Sequence, residues 1–238
     1  KGWKIAYSMD LGYFEVDNEV KKNTLHALEK FKSLGATVTE VKLNWKKEEI
    51  ESACYSHYAS FFAKTVADLL PEHEDKLSSY ALMNARSAEV HIKALLENKK
   101  IYYPELGAHL GLSPIECSRV AGEMYSELSP ILDQYDAFIS PTNNLPAVKA
   151  DVDLEKDPVI INGKEQVGRD MCWTMCYPFN MLGRLPVLSV PSGFASNGVP
   201  TGIQIIARSY ADEIVFQAGF NYEKLDPWLE NTRKRPKI

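Results

Sequence analysis

Hydrophobic and polar positions at the start of the chain repeat first with the period of a strand and then with that of a helix. Trp3 to Tyr7 alternates like a β-strand. Asp17 to Leu34 is apolar at helical spacing before Gly35 ends the segment. Ala36 to Leu43 then alternates as a second strand. This β-α-β order predicts a right-handed crossover and a partly parallel sheet covered by helices on both faces.

Two long helices are predicted in the middle of the chain. From Lys47 to Leu70 apolar residues recur at helical spacing, and Pro71 closes a helix of about two dozen residues. The second helix begins at Ser113-Pro114, where a capping serine and a proline at the first helical position are followed by Glu116, which can reach back to the cap. We expect this helix to run to about Tyr135.

A short central strand and an irregular segment are predicted next. The strand, Ala137 to Ser140, ends at Pro141, which cannot donate to a sheet and so delivers the chain to a loop. Residues 143–166 are polar and interrupted by proline, which predicts a surface excursion with a hairpin turn at Asn162-Gly163. Val167 to Leu182 is predicted to be helical.

The last part of the chain predicts a strand pair and a closing helix. Val187–Val190 and Gly202–Ala207 are expected to pair antiparallel, with a helix following from Asp212 to Leu225. The basic tail, Asn231 to Ile238, is expected to fray. These elements predict an α/β fold in which a mixed, largely parallel sheet is sandwiched between helices, in one domain spanning residues 1–238.

Composition and charge exclude two classes of partner. The net charge of −5 leaves no basic stripe of the kind that contacts phosphates, so nucleic acid is not an expected partner. The longest apolar stretches, such as Pro186–Pro191, fall far short of the roughly 20 residues that span a bilayer, so no membrane crossing is expected. Lys1 lies two residues before the first strand and is interpreted as an internal cut in a longer protein.

The four cysteines predict reduced thiols. Cys54, Cys117, Cys172 and Cys176 are too few for a disulfide scaffold, and they show no paired metal spacing. We therefore expect a cytoplasmic protein without a metal site.

Five segments, taken in order, carry the strongest functional signal. The central three are Tyr177-Pro-Phe-Asn-Met-Leu-Gly183, Leu185-Pro-Val-Leu-Ser-Val-Pro-Ser-Gly-Phe194 and Gly198-Val-Pro-Thr-Gly-Ile-Gln-Ile-Ile-Ala-Arg208. Tyr135-Asp-Ala-Phe-Ile-Ser-Pro-Thr142 precedes them and Phe216-Gln-Ala-Gly-Phe-Asn-Tyr-Glu223 follows them. In this order they resemble the C-terminal block of the amidase signature enzymes. The resemblance implies the C-terminal portion of that family's fold, and hydrolysis of a carboxylic amide to acid and amine or ammonia without cofactor or metal.

The catalytic segment of that family is absent from the chain. The resemblance implies a serine nucleophile, a second serine in a cis peptide and a lysine, with the serine pair set in a Gly- and Ser-rich segment. The one adjacent serine pair here, Ser78-Ser79, has no glycine neighbours, while Ser189 and Ser192 mark the end of a strand. Cys54 and His57 share a helix face but lack a third group to orient a thiol–imidazole pair. No catalytic residue is therefore assigned.

Two places match positions where the family's C-terminal half contributes to the acyl pocket. One is the loop after the central strand, where Thr142 and Asn143 could orient a polar substrate. The other is the segment before Pro178, where four residues fall three or four apart and should share a helix face. These four expected substrate-binding residues are Asp170, Trp173, Thr174 and Tyr177. Core packing is the alternative for both aromatic side chains.

The sequence thus predicts the C-terminal half of an amidohydrolase, with a small-molecule amide as substrate and the missing N-terminal half, in the same or a separate chain, as partner. The order Met181-Leu-Gly-Arg-Leu185 departs from the family's commonest form, which favours a free-standing amide hydrolase over a subunit of a transamidation complex. The alternative is a non-catalytic binding or scaffold module derived from an amidase. A half-sheet cut from its companion would expose an edge that favours association, including a homodimer. Nucleotide binding is disfavoured because no Gly-rich phosphate loop is present.

Overall fold

A computed structural model describes residues 2–154, 156–225 and 227–228 and has a five-stranded sheet at its centre. The strands are β1 (Lys4–Tyr7), β2 (Thr37–Glu40), β3 (Ile101–Tyr103), β4 (Ala108–Leu110), β5 (Ala137–Pro141), β6 (Val159–Ile161), β7 (Lys164–Gln166), β8 (Val187–Phe194) and β9 (Pro200–Ile206). The α-helices are α1 (Asn18–Ser33), α2 (Lys47–Tyr58), α3 (Lys64–Ala67), α4 (Ser79–Leu96), α5 (Pro114–Gln134), α6 (Tyr177–Met181) and α7 (Asp212–Leu225).

The sheet is mixed and largely parallel, as predicted. Its order is β2-β1-β5-β9-β8, with β1 parallel to both β2 and β5. Since β9 is antiparallel to both of its neighbours, it alone of these strands runs against the others. The remaining strands form the separate hairpins β3–β4 and β6–β7. The α/β prediction is therefore confirmed.

The central strand β5 separates two apolar cores. Every residue of β5 is buried, and alternate side chains point to opposite faces of the sheet. Ile139 packs with Ile205 and with the buried faces of α1 and α7 on one side. Phe138 packs with Ile206 and with residues of α2, α5 and α6 on the other side. The second core supports the candidate site described below.

Local signals at chain ends and turns explain several elements. The side chain of Asp17 caps α1 by accepting from the amide of Glu19 at 2.7 Å. The predicted capping box at the start of α5 is present, with the side chains of Ser113 and Glu116 each accepting from the other residue's amide. The hairpin at Asn162-Gly163 is also present as β6–β7. The basic tail from Asn231 to Ile238 lies outside the described residues.

The helix expected from Lys47 to Leu70 is interrupted. α2 ends at Tyr58 and continues through a π-helix, Ala59–Ala63, into the short α3. At this point the hydroxyl of Ser60 donates to the carbonyl of Ser56 at 2.9 Å, which competes with the regular helical bonds. Two elements were not predicted at all, namely α4 and the β3–β4 hairpin, and Ser78 of the serine pair caps α4. No helix among the described residues combines the length and hydropathy that a membrane span requires.

Candidate functional site

The loop after β5 and the segment before α6 lie side by side. Asn143 and Thr174 form an isolated antiparallel bridge. The carbonyl of Thr142 accepts from the amide of Met175 at 2.9 Å. The two regions in which the sequence placed substrate-binding residues are therefore joined through their backbones.

The prediction of one continuous helix over Val167–Leu182 is wrong. The structure has a 3₁₀ turn at Arg169–Cys172, the extended bridge at Thr174, and then α6. Gly168 precedes the turn at φ +121°, a conformation that glycine tolerates and a helix excludes. The bridge takes the backbone of Thr174 out of helical geometry. Asp170, Trp173, Thr174 and Tyr177 consequently do not share one helix face.

These four residues instead surround two neighbouring cavities. The cavity between α2, α5 and α6, called the inner cavity here, has a volume of about 470 Å³. Its lining consists of Cys54, His57, Tyr58, Cys117, Ser118, Ala121, Asp170, Met171, Thr174, Tyr177, Asn180 and Met181. Mostly apolar walls with a few polar groups are typical of small-molecule sites of this size.

The outer cavity lies on the other side of Asp170 and Thr174. Its volume is about 410 Å³, and Trp173 lines it together with Tyr80 and the start of α4. Asp170 and Thr174 line both cavities and so form the wall between them. Thr174 is held in that wall because its hydroxyl donates to the carbonyl of Asp170 at 2.9 Å.

Thr142 and Asn143 contribute through the backbone, since neither residue lines the inner or the outer cavity. The hydroxyl of Thr142 lies against Gly202, where an added Cβ would come within 2.8 Å of that oxygen. The side chain of Asn143 is exposed. The structure therefore brings four of the six expected binding residues to the cavities and leaves these two beside them.

Two buried amides that the sequence analysis missed fix this arrangement. Asn144 donates its side-chain amide to the carbonyl of Cys172 at 2.7 Å. Gln204 donates to the hydroxyl of Ser140 and to the carbonyls of Pro141 and Met175, all within 3.0 Å. The sequence signal for Gln204 was its place as a polar residue inside the apolar run of β9. A buried amide there needs several hydrogen-bond partners, so it is expected to hold neighbouring segments together.

A buried carboxyl group beneath the inner cavity was also missed. Glu51 of α2 is fully buried, and its Oε1 accepts from the hydroxyl of Tyr177 at 3.4 Å. The hydroxyls of Tyr177 and Tyr13 are 2.6 Å apart, and Nζ of Lys47 lies 3.9 Å from Oε1 of Glu51. Burial raises the pKa of Glu51 to about 8, so the carboxyl is mostly protonated at neutral pH. The sequence signal for Glu51 was its helical spacing from Cys54 and Tyr58, which places the three residues on one face of α2.

Gly168 lies directly against this carboxyl group. A Cβ added at Gly168 would come within 3.3 Å of Oε1 of Glu51, and the carbonyl of Gly168 accepts a short hydrogen bond from the hydroxyl of Tyr55. The start of the 3₁₀ turn is thus packed between two side chains of α2. Glu51 and Tyr55 set the position of the segment that carries Asp170.

The cysteines of the site are suited to packing. Burial raises the pKa of Cys54 to about 12 and that of Cys172 to about 12, so neither thiol is a ready nucleophile. The ring of His57 packs against Phe61 at 4.7 Å between centroids. No group of three potential metal ligands among His, Cys, Asp and Glu occurs within the described ranges. The hydroxyl of Ser192 is buried and bonded to that of Thr201 at 2.8 Å, a structural role.

The comparisons with known proteins agree on one family. The family model described as Amidase matches residues 1–216. An acylamidase from Rhodococcus erythropolis is 28% identical over 97% of this chain and 44% of its own length. A glutamyl-tRNA(Gln) amidotransferase subunit from Latilactobacillus sakei is 28% identical over 97% of this chain and 46% of its own length.

The solved structures support the same fold. The structure of a bacterial aryl acylamidase of the amidase signature family superposes with a TM-score of 0.77 at 23% identity. It covers 100% of this chain, which in turn covers 47% of that protein. The chain thus spans about half the length of the relatives that it matches.

Proposed function

This chain belongs to the amidase family, and from that premise we propose that it is the C-terminal part of an amidohydrolase. The complete enzyme hydrolyses a carboxylic amide to a carboxylic acid and an amine or ammonia. Residues 1–238 form one domain of it and supply part of the substrate pocket. The serine nucleophile comes from the companion half of the protein.

The observation that carries this proposal is the inner cavity in a chain of this family. Its volume of about 470 Å³ suits a small molecule, and Tyr177 and Thr174 are among the residues that line it. The described residues offer no activated nucleophile, because the thiol of Cys54 is held protonated and Ser78 caps a helix. We therefore assign substrate binding to the cavity and the chemistry to residues outside 1–238.

The free edge of the sheet supports a companion half. β8 is an edge strand, and within the described part of the chain its outer side pairs with no other strand. Val187 at this edge is 41% exposed, and Phe216 and Phe220 on the adjacent α7 are 64% and 59% exposed. Apolar side chains beside an unpaired edge favour association. We assign this surface to the companion half, with pairing to a second copy as the competing outcome.

The substrate class and compartment follow from the same features. The free-standing hydrolase branch is preferred because the inner cavity is lined by aromatic, thioether and thiol groups that suit an aryl or alkyl amide. The four cysteines are free thiols, which supports a reducing, cytoplasmic compartment. No cofactor takes part in the proposed reaction.

The test is anilide hydrolysis by this chain alone and by its complex with the companion half. We expect turnover from the complex only. Tyr177→Phe in the complex should lower kcat/KM about tenfold, because the hydroxyl between Glu51 and Tyr13 positions the cavity wall. The matched control, Tyr222→Phe, removes a hydroxyl that bonds the carbonyl of Pro191 in the other core and should leave turnover unchanged. Turnover by the isolated chain, or an inert complex, would overturn the proposal.

A further inference from the structure

Asp170 is the one carboxylate at the inner cavity, and it also reaches the outer cavity. Among the described residues that line the inner cavity, no other side chain carries a negative charge at neutral pH. The outer cavity adds a second carboxylate, Asp153, whose charge is offset by a salt bridge to Lys156 at 2.7 Å. Neither cavity is lined by a lysine or an arginine within the described ranges. The carboxylate of Asp170 therefore determines the sign of the charge that faces the inner cavity.

The carboxylate of Asp170 has acceptor capacity left for a ligand. Its side-chain donor is the hydroxyl of Tyr80, at the long distance of 3.3 Å, and the backbone amides of Asp170 and Met171 also lie near it. An ionised carboxylate can accept about four hydrogen bonds. Within the described residues, Asp170 forms no salt bridge.

The neighbouring cation points elsewhere. The guanidinium of Arg169 donates to the hydroxyl of Ser87 at 3.2 Å and lies over the ring of Tyr103, 5.5 Å from its centroid. Arg169 is buried in that position. Burial raises the pKa of Asp170, and Arg169 partly offsets this rise from a distance without occupying the cavity. A half-buried carboxylate left in this way favours a ligand that brings its own positive charge.

The walls around Asp170 suit an apolar body carrying that charge. Tyr58, Tyr177, Met171 and Met181 line the inner cavity, so flat or flexible apolar surface faces the space. Tyrosine rings also attract cations to their faces. An aryl or alkyl group would fill the cavity while its charged end meets Asp170.

We propose that Asp170 is a specificity-determining residue that selects amides bearing a primary ammonium group on an aryl or alkyl body. This inference rests on the proposed amidohydrolase function and names the substrate class of that site. The ammonium group donates to the free lone pairs of Asp170, and the apolar body packs against the walls of the inner cavity.

Equilibrium binding to the complex of this chain with its companion half, with the nucleophilic serine replaced by alanine, tests the assignment without requiring hydrolysis. The probes are para-aminomethylbenzamide, its neutral analogue para-hydroxymethylbenzamide, and the anionic terephthalamic acid, measured by calorimetry at neutral pH. We expect the ammonium compound to bind about tenfold more tightly than the neutral one, as a charge-assisted hydrogen bond provides, and the anion to bind most weakly. Asp170→Asn should abolish this preference and leave the affinity for the neutral compound unchanged.

Two further variants keep the result interpretable. Asp133→Asn removes an exposed carboxylate of α5 and should leave all three affinities as they are. Tyr80→Phe removes the donor that competes for Asp170 and should retain or strengthen the ammonium preference, whether or not Asp170→Asn folds. Equal affinities for the charged and neutral probes, no binding of either, or a preference that survives in Asp170→Asn would overturn the inference. The proposed amidohydrolase function is tested separately by turnover and would stand in those cases.

Discussion

Replacing Glu51 by glutamine should make the chain more stable at alkaline pH. The carboxyl titrates at 4.5 in its unperturbed state, and burial raises its pKa to about 8 in the folded chain. The folded state therefore holds this proton more tightly than the unfolded state does. The stability contributed by Glu51 is complete below pH 4.5 and is lost as the pH rises toward about 8.

The size of this effect follows from the two pKa values. A difference of one pKa unit corresponds to about 1.4 kcal/mol. Raising the pH from about 5 to about 8 should therefore lower the free energy of unfolding by about 4 kcal/mol through Glu51. Glutamine keeps an oxygen that can accept from the hydroxyl of Tyr177, and it does not titrate. The variant should therefore match the wild type within about 1 kcal/mol near pH 5 and exceed it by roughly 4 kcal/mol near pH 8.

Urea unfolding of both proteins across this pH range measures the difference. Comparing the two cancels the other titrating groups, because these are common to both chains. Glu89→Gln, at an exposed position of α4, is the control and should follow the wild-type profile. Parallel profiles for the wild type and Glu51→Gln would refute the reasoning, since they would mean that Glu51 is ionised in the folded chain at neutral pH.

Two further substitutions test a close backbone contact and the anchoring role of Gln204 by urea unfolding. Gly12→Ala should cost more than about 2 kcal/mol, because a Cβ at φ +87° would overlap the carbonyl of Leu43. Gly198→Ala, at φ +81° with open space around it, should cost only about 1 kcal/mol, and equal losses would contradict the overlap argument. Gln204→Leu should lose about 1–3 kcal/mol for each buried carbonyl left without a donor, and a change within about 0.5 kcal/mol would show that this amide is not the anchor described.

The fold was accessible from the sequence where one local signal decides an element. The capping box at Ser113, the turn at Asn162-Gly163 and the buried run from Ala137 to Pro141 each specify their structure within a few residues. The β-α-β unit was readable because its apolar period changes from that of a strand to that of a helix. β2 is shorter than predicted and ends at Glu40, although the alternating pattern continues beyond it.

The candidate site was less accessible because distant contacts shape it. The segment from Gly168 to Tyr177 has helical spacing, yet its bridge to Asn143 and the packing of Gly168 against Glu51 override that tendency. No spacing rule within the segment reveals either contact. Residue types at the cavities could still be predicted, whereas the division of Tyr177 and Trp173 between the inner and the outer cavity depends on the tertiary structure.

The interruption of the first long helix was not predicted because tertiary contacts, rather than helix propensity, decide it. The run from Lys47 to Leu70 has the apolar period of one helix, but the hydroxyl of Ser60 bonds both the carbonyl of Ser56 and the buried ring of His91. His91 in turn accepts from the amide of Gly111, which ties α4, the π-helix and β4 together. The break in the helix therefore belongs to a tertiary hydrogen-bond network.

Mass spectrometry of the purified protein after treatment with a serine-directed covalent probe tests the central claim most directly. Peptide mapping is expected to find residues 1–238 unmodified and the probe on the companion half, in the same chain or in a separate one. A probe adduct within residues 1–238, or amide turnover by a lone 26.8 kDa species, would contradict the claim that the catalytic serine is supplied by the companion half.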